Sequence, residues 1–97
     1  MEDITADELK QRLANGETLH IVDVREEWEH EEKNIGGRNI PLGKLPTSLN
    51  EINALKEEEL ILYCRSGGRS ATAKQYIEGQ GFTKVRNLLK GIEGYLG

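Results

Sequence analysis

Apolar positions follow two different rhythms along this chain. Leu9 and Leu13 sit four apart among charged neighbours, which places both on one helical face. Thr5 ahead of Glu8 reads as a capping box and Gly16 as a stop, so the spacing predicts a helix between them. LHIVDV (Leu19 to Val24) and ELILYC (Glu59 to Cys64) are short apolar runs that predict two buried strands. RNIPL predicts a short strand ending at Pro41, and KVRNL, Lys84 to Leu88, another. REEWEHEEK has room for one or two helical turns. PTSLNEINALK carries Leu49, Ile52 and Leu55 at helical spacing, with Thr47 or Ser48 as N-cap. RSATAKQYIEGQG predicts a helix starting near Arg69-Ser70. It offers Ala71, Ala73, Tyr76 and Ile77 for packing, with Gly79 and Gly81 as stops. KGIEGYLG is a weak terminal helix diluted by glycines.

Strand followed by helix, several times over, predicts an α/β fold built on a parallel sheet with helices on both faces. Ligands of such sheets bind where the carboxyl ends of the strands meet the following loops. Two loops there carry unusual chemistry: DVREE after the first strong strand and CRSGGRS after the second.

Composition narrows the picture. With 97 residues, 36% of them hydrophobic and 31% charged, the chain suits one soluble domain. Its apolar runs are far too short for a membrane span, and MEDITADELK lacks the pattern of a signal peptide. A cytoplasmic monomer is the expectation. The net charge of −4 argues against a nucleic-acid partner. One cysteine excludes an internal disulfide, and two histidines without ligand spacing give no metal site. No cofactor is expected.

Cys64 stands before two glycines, between Arg65 and Arg69, and ahead of a helix. A packing cysteine needs none of these neighbours, whereas a thiolate is stabilised by helix N-termini and nearby cations. Gly67 and Gly68 let successive N–H groups turn inward, which makes an anion cradle for a thiolate, a persulfide or an oxyanion. Ser66 and Ser70 add hydroxyl donors, although Ser70 is also an ordinary first-turn residue.

The stretch Cys64-Arg65-Ser66-Gly67-Gly68-Arg69-Ser70 resembles the C-x-x-G-x-R-S loop of the rhodanese (sulfurtransferase) family. Asp23-Val24-Arg25-Glu26 is similar to the family's D-V-R-E. NIGGRNIPL resembles its H-I-x-G-A-x-N-I-P-L, and NLLKGIEGYL its N-L-x-G-G-x-x-G-W, with Lys90 at the first glycine and Tyr95 at the tryptophan. The motifs stand in family order across nearly the whole chain. This resemblance implies a three-layer α/β/α fold with a mainly parallel five-stranded sheet, the fifth strand lying near Ile4. It also implies catalysis by Cys64, which would take the outer sulfur of a small anionic donor such as thiosulfate as a persulfide. A thiol or cyanide acceptor would then remove it. Thioredoxin or a cysteine desulfurase are the protein partners in view. The loop amides from Arg65 to Ser70 would hold the persulfide, and Arg65 and Arg69 would capture the donor.

Two alternatives share this fold. One is a sulfur-relay or interaction module with little small-molecule turnover. The other is a phosphatase or arsenate reductase, whose loop is C-x5-R; here Cys64 to Arg69 is C-x4-R, a tighter ring. Outside the loop, Asp23 is expected as a support that orients Arg69 or binds loop amides. Arg25 is either an ion-pair partner or a surface arginine. Trp28 is expected to pack beside the cleft, His30 to be exposed, and the acidic run Glu26 to Glu32 to form a solvated face.

Overall fold

The structure, a computed structural model, describes residues 1–97. Four short strands form one parallel sheet in the order β2-β1-β3-β4. They are β1 (His20–Asp23), β2 (Arg38–Asn39), β3 (Leu60–Tyr63) and β4 (Val85–Asn87). The register pairs Asp23 with Asn39 and Tyr63, and Leu62 with Asn87. The carboxyl ends of all four strands therefore lie together.

Alternation along β1 and β3 divides the core in two. Val22, Val24, Leu60, Leu62 and Cys64 face one way, packing with Leu45, Ile52, Ala73 and Ile77. Ile21, Ile61 and Tyr63 face the other way, against Ile4, Leu9, Leu88 and Ile92. The first face is covered by α4 (Gly68–Gly79) and the segment around α3 (Leu45–Ser48). The second is covered by α1 (Ala6–Ala14) and α5 (Gly91–Leu96). No helix is long and apolar enough to cross a membrane.

The expected fifth strand is a correction: the sheet has four strands. Ile4 makes a single parallel bridge to Leu88, with Ile4 N donating to Asn87 O and Leu89 N to Ile4 O, both near 3 Å. Thr5 already caps α1, accepting from Glu8 N at 3.1 Å, so no length remains for a ladder. The long helix expected over PTSLNEINALK is also broken. Pro46 stands in the first turn of the short α3, and two 3-10 turns follow, Leu49–Glu51 and Asn53–Leu55. Pro46 and the asparagines supply little helix propensity, while Leu45 and Ile52 still reach the core. Thr47 lies inside α3 rather than at its cap, and its Oγ1 donates to Lys44 O at 3.1 Å. On α4 the buried residues are Ser70, Ala73 and Ile77; Ala71 is exposed, and Tyr76 packs partly.

At the opposite end of the sheet, Arg86 is 7% exposed and donates to both carboxylate oxygens of Glu8 and to Glu59. Arg12 binds Glu59 at 2.7 Å through two nitrogens. The Arg12 guanidinium holds the Glu59 carboxyl down at about 2, against burial and with help from Arg86. The folded state therefore binds fewer protons than the unfolded state, whose carboxyl has the ordinary value of 4.5. The stability from this group is complete above about pH 4.5 and is lost as pH falls toward about 2. Urea unfolding of Glu59→Gln beside wild type is expected to show a gap at pH 7 that closes in acid. A gap of constant size would show that the ion pairs contribute nothing there.

Lys90 is the one non-glycine residue with positive φ, at 66°. The left-handed region costs an L-residue roughly 1–2 kcal/mol, and glycine loses roughly 0.5–1 kcal/mol of that advantage through its freer unfolded chain. Lys90→Gly is expected to stabilise the fold by about 0.5–1 kcal/mol, a rise of a few degrees in Tm by thermal melt. A lowered Tm would mean that the Lys90 side chain contributes packing larger than its strain.

Candidate active site

Cys64 follows the last residue of β3 at the carboxyl end of the sheet, where the backbone leaves the ladder and turns into α4. It is buried. Gly67 makes the turn with φ 111°, a left-handed conformation that favours glycine, and α4 opens at Gly68, a residue earlier than the sequence predicts. The turn aims Gly67 N at Cys64 Sγ, 3.1 Å away, and brings Ser70 Oγ to 3.3 Å from the same sulfur. Burial pushes the thiol up. The Ser70 hydroxyl and the amides of Ser70, Gly67 and Ser66 outweigh it and hold the group below its ordinary value. The predicted cradle is thus built from backbone amides and one hydroxyl. Ser66 contributes its amide, and its side chain is exposed.

The two arginines flank the loop but do not reach into it unaccompanied. Arg69 is held by Glu29 of α2 (Glu27–Glu32) in a two-pronged ion pair, 2.7 and 3.0 Å. The Arg69 guanidinium holds Glu29 down at about 2. Arg65 is exposed and donates through Nε to Glu93 of α5 at 3.0 Å. Each cation of the loop is thereby matched to a carboxylate on a neighbouring helix.

Asp23 is fully buried and corrects an expectation. It binds neither Arg69 nor a loop amide. Its carboxylate accepts from Arg25 N at 2.9 Å, Arg25 Nε at 3.0 Å and Arg25 Nη2 at 2.8 Å, and meets His30 Nδ1 at 2.8 Å. Arg25, left open between two readings, is buried in this ion pair. It also donates to Lys33 O at 2.6 Å and lies over the Tyr63 ring. His30 is only partly exposed, because Asp23 draws it in. Trp28 does not pack: it is 65% exposed on the rim of a cavity of about 370 Å³ whose walls include Arg25, Glu29, Arg65, Ile92 and Leu96. The helix α2 buries no residue, as its charge predicts.

Sequence reasoning missed four positions around the loop. Asn87 ends β4 and its Nδ2 donates to Gly67 O at 3.2 Å, while its Oδ1 accepts from Ser70 Oγ. Gly91 sits where any Cβ would collide with the carbonyls of Cys64 and Arg65. Ile92 N and Glu93 N donate to those same two carbonyls at 2.9 and 3.1 Å. The sequence signal was the NLLKG stretch itself, whose asparagine and glycine are the residues that touch the loop.

Comparison with known proteins bears on the family of the whole chain. The family model for the rhodanese-like domain matches residues 5–97. A sulfurtransferase of Allochromatium vinosum is 36% identical over 95% of this chain and 85% of its own length. A Bacillus subtilis (strain 168) protein named as a candidate sulfur carrier, YrkF, is 38% identical over 98% of this chain. The chain spans only 51% of that protein's length. Among solved structures, a rhodanese-like domain protein from Staphylococcus aureus superposes with a TM-score of 0.87 at 33% identity, covering 98% of this chain and 91% of the other. A human single-domain sulfurtransferase gives 0.83 at 29% identity, covering 97% and 94%. The motifs, the parallel sheet with its cysteine loop, and these likenesses lead to one conclusion: the chain belongs to the rhodanese-like domain family.

Proposed function

We propose that this protein is a sulfurtransferase that carries a sulfane sulfur on Cys64. The observation that supports this reading best is the cradle itself. A buried sulfur accepts from Gly67 N at 3.1 Å, beside inward amides and the start of a 12-residue helix. Such a ring stabilises one unit of negative charge on sulfur without a lysine or a metal.

The thiolate attacks the outer sulfur of a donor such as thiosulfate. A new S–S bond forms, the donor's own S–S bond breaks, and sulfite leaves with the bonding pair. Cys64 then bears S–S⁻, held by the amides of Ser66, Gly67 and Ser70. A thiolate or cyanide attacks the outer sulfur in turn, and the Cys64 thiolate departs. A protein persulfide serves as donor by the same displacement, with a thiolate leaving in place of sulfite. Thiols of the thioredoxin kind as acceptors and cysteine desulfurases as protein donors come within this proposal. The pairing of Arg69 with Glu29 and of Arg65 with Glu93 bears on donor choice. Sulfonate oxygens must compete with those carboxylates, and a persulfide donor has no such competition.

Intact-mass measurement after brief exposure to thiosulfate, and separately to a low-molecular-weight persulfide, tests the reading. One added sulfur atom, removed by cyanide, is the expected result. No addition from either donor would overturn the proposal.

A further inference from the structure

Ser70 stands among three acceptors that compete for its one proton: Cys64 Sγ, Asn87 Oδ1 and, at 3.3 Å, Gly67 O. Its Oγ lies 3.3 Å from Cys64 Sγ and hydrogen-bonds to Asn87 Oδ1. The orientation of the Asn87 amide is fixed by its other end. Gly67 O can only accept, so the Asn87 nitrogen faces it at 3.2 Å and the Asn87 oxygen faces Ser70. An amide oxygen cannot donate, so the Ser70 hydroxyl gives its proton to Asn87. The 3.3 Å contact with sulfur, to which the same hydroxyl can also donate, is then left without that proton. This pattern matches a neutral thiol. With a thiolate, Ser70 must turn its O–H to the sulfur, and two oxygen lone pairs are left facing each other at Asn87.

We infer that Asn87 is a positioning residue for the sulfur chemistry: by holding the Ser70 proton it opposes ionisation of Cys64, and it releases that proton to the sulfur when the thiolate forms. No proton crosses from Ser70; its O–H only reorients, and the Cys64 proton goes to solvent. Asn87 is well placed for this. It is 5% exposed, and both ends of its backbone are pinned, the N–H to Asp3 Oδ1 at 3.0 Å and the carbonyl to Ile4 N at 3.0 Å. The side chain therefore cannot follow Ser70 when the hydroxyl turns. The charged groups around the sulfur are Arg69 with Glu29 of α2, Arg65 with Glu93 of α5, and the Asp23–Arg25–His30 cluster after β1. Arg86 on β4 is directed to Glu8 and Glu59 instead. None of these changes in the comparison below. The inference concerns the thiol itself and rests on the proposed sulfur transfer only for its consequence in turnover.

The chain has one cysteine, so ultraviolet thiolate absorbance titrated against pH reports Cys64 alone among thiols. Asn87→Ala removes the nearer of the two competing oxygens, leaving Gly67 O, and is expected to lower the ionisation midpoint by about one pH unit. Asn87→Leu replaces it if the truncated variant does not fold. Ser70→Ala is expected to raise the midpoint in the wild-type background and by about one unit more in the Asn87 variant. General loosening of the site would not make the effect of Ser70 depend on Asn87. The inference is overturned if the Asn87 variants leave the midpoint in place or raise it, or if Ser70→Ala acts equally in both backgrounds. These titrations use no sulfur donor, so their failure is separate from a failure to load sulfur.

Discussion

Cys64→Ala takes up no cyanide-removable sulfur from any donor, while its fold stays intact; that is the largest effect expected of any single change. Cys64 is the only cysteine, so no second thiol can substitute. The stabilising amides remain after the change, but there is no sulfur for them to hold. Structurally the loss is small: one buried sulfur is removed from a cluster that keeps Val22, Val24, Leu62 and Ala73. A cost on the order of 1 kcal/mol follows for a void of that size. Intact mass and a thermal melt on the same sample read both halves. A variant that still gains removable sulfur would mean that the sulfur is bound elsewhere, and one that does not fold would leave Cys64 with a structural role larger than its packing suggests.

Asp23→Ala is expected to be the most destabilising of the changes considered. The carboxylate is 0% exposed and meets the Arg25 guanidinium, the Arg25 amide and His30. Its removal leaves the Arg25 charge, itself only 5% exposed, with one carbonyl partner at Lys33. Breaking a buried pair from one side costs about 3–5 kcal/mol, because the remaining charge is both desolvated and unmatched. Small domains have about 5–15 kcal/mol in total. Urea unfolding at neutral pH measures the difference. Removing both partners together, Asp23→Ala with Arg25→Met, is expected to recover much of the loss. A single-variant cost below about 1 kcal/mol would mean that water replaces the carboxylate.

The Cys64 loop was legible because its chemistry is local. Cysteine, glycines and helix start are contiguous, and turn geometry acts over a few residues. Strands β1 and β3 were legible for a similar reason: buried parallel strands show as unbroken apolar runs. The partners of the arginines were not legible. Glu29 lies 40 residues from Arg69 and Glu93 lies 28 from Arg65. Each looks like one more surface carboxylate until the sheet brings it near. Trp28 misled in the opposite direction, since a large apolar residue in an acidic run carries no mark of which way the helix faces. The fifth strand failed on length: the helix cap at Thr5 leaves Ile4 alone.

The attachment of the first four residues has a mechanical consequence. Asp3 holds the Asn87 amide and takes Lys74 at 2.7 Å, Glu2 O takes Arg86 at 2.8 Å, and Ile4 bridges Leu88. Asn87 in turn holds Gly67 O. A pull on the amino end is therefore carried in two hydrogen-bonded steps to the loop around the sulfur. In a fused or tethered polypeptide, linker slack ahead of residue 1 becomes a design variable for the site. A taut connection would load the cradle like a lever, whereas a loose one would isolate it.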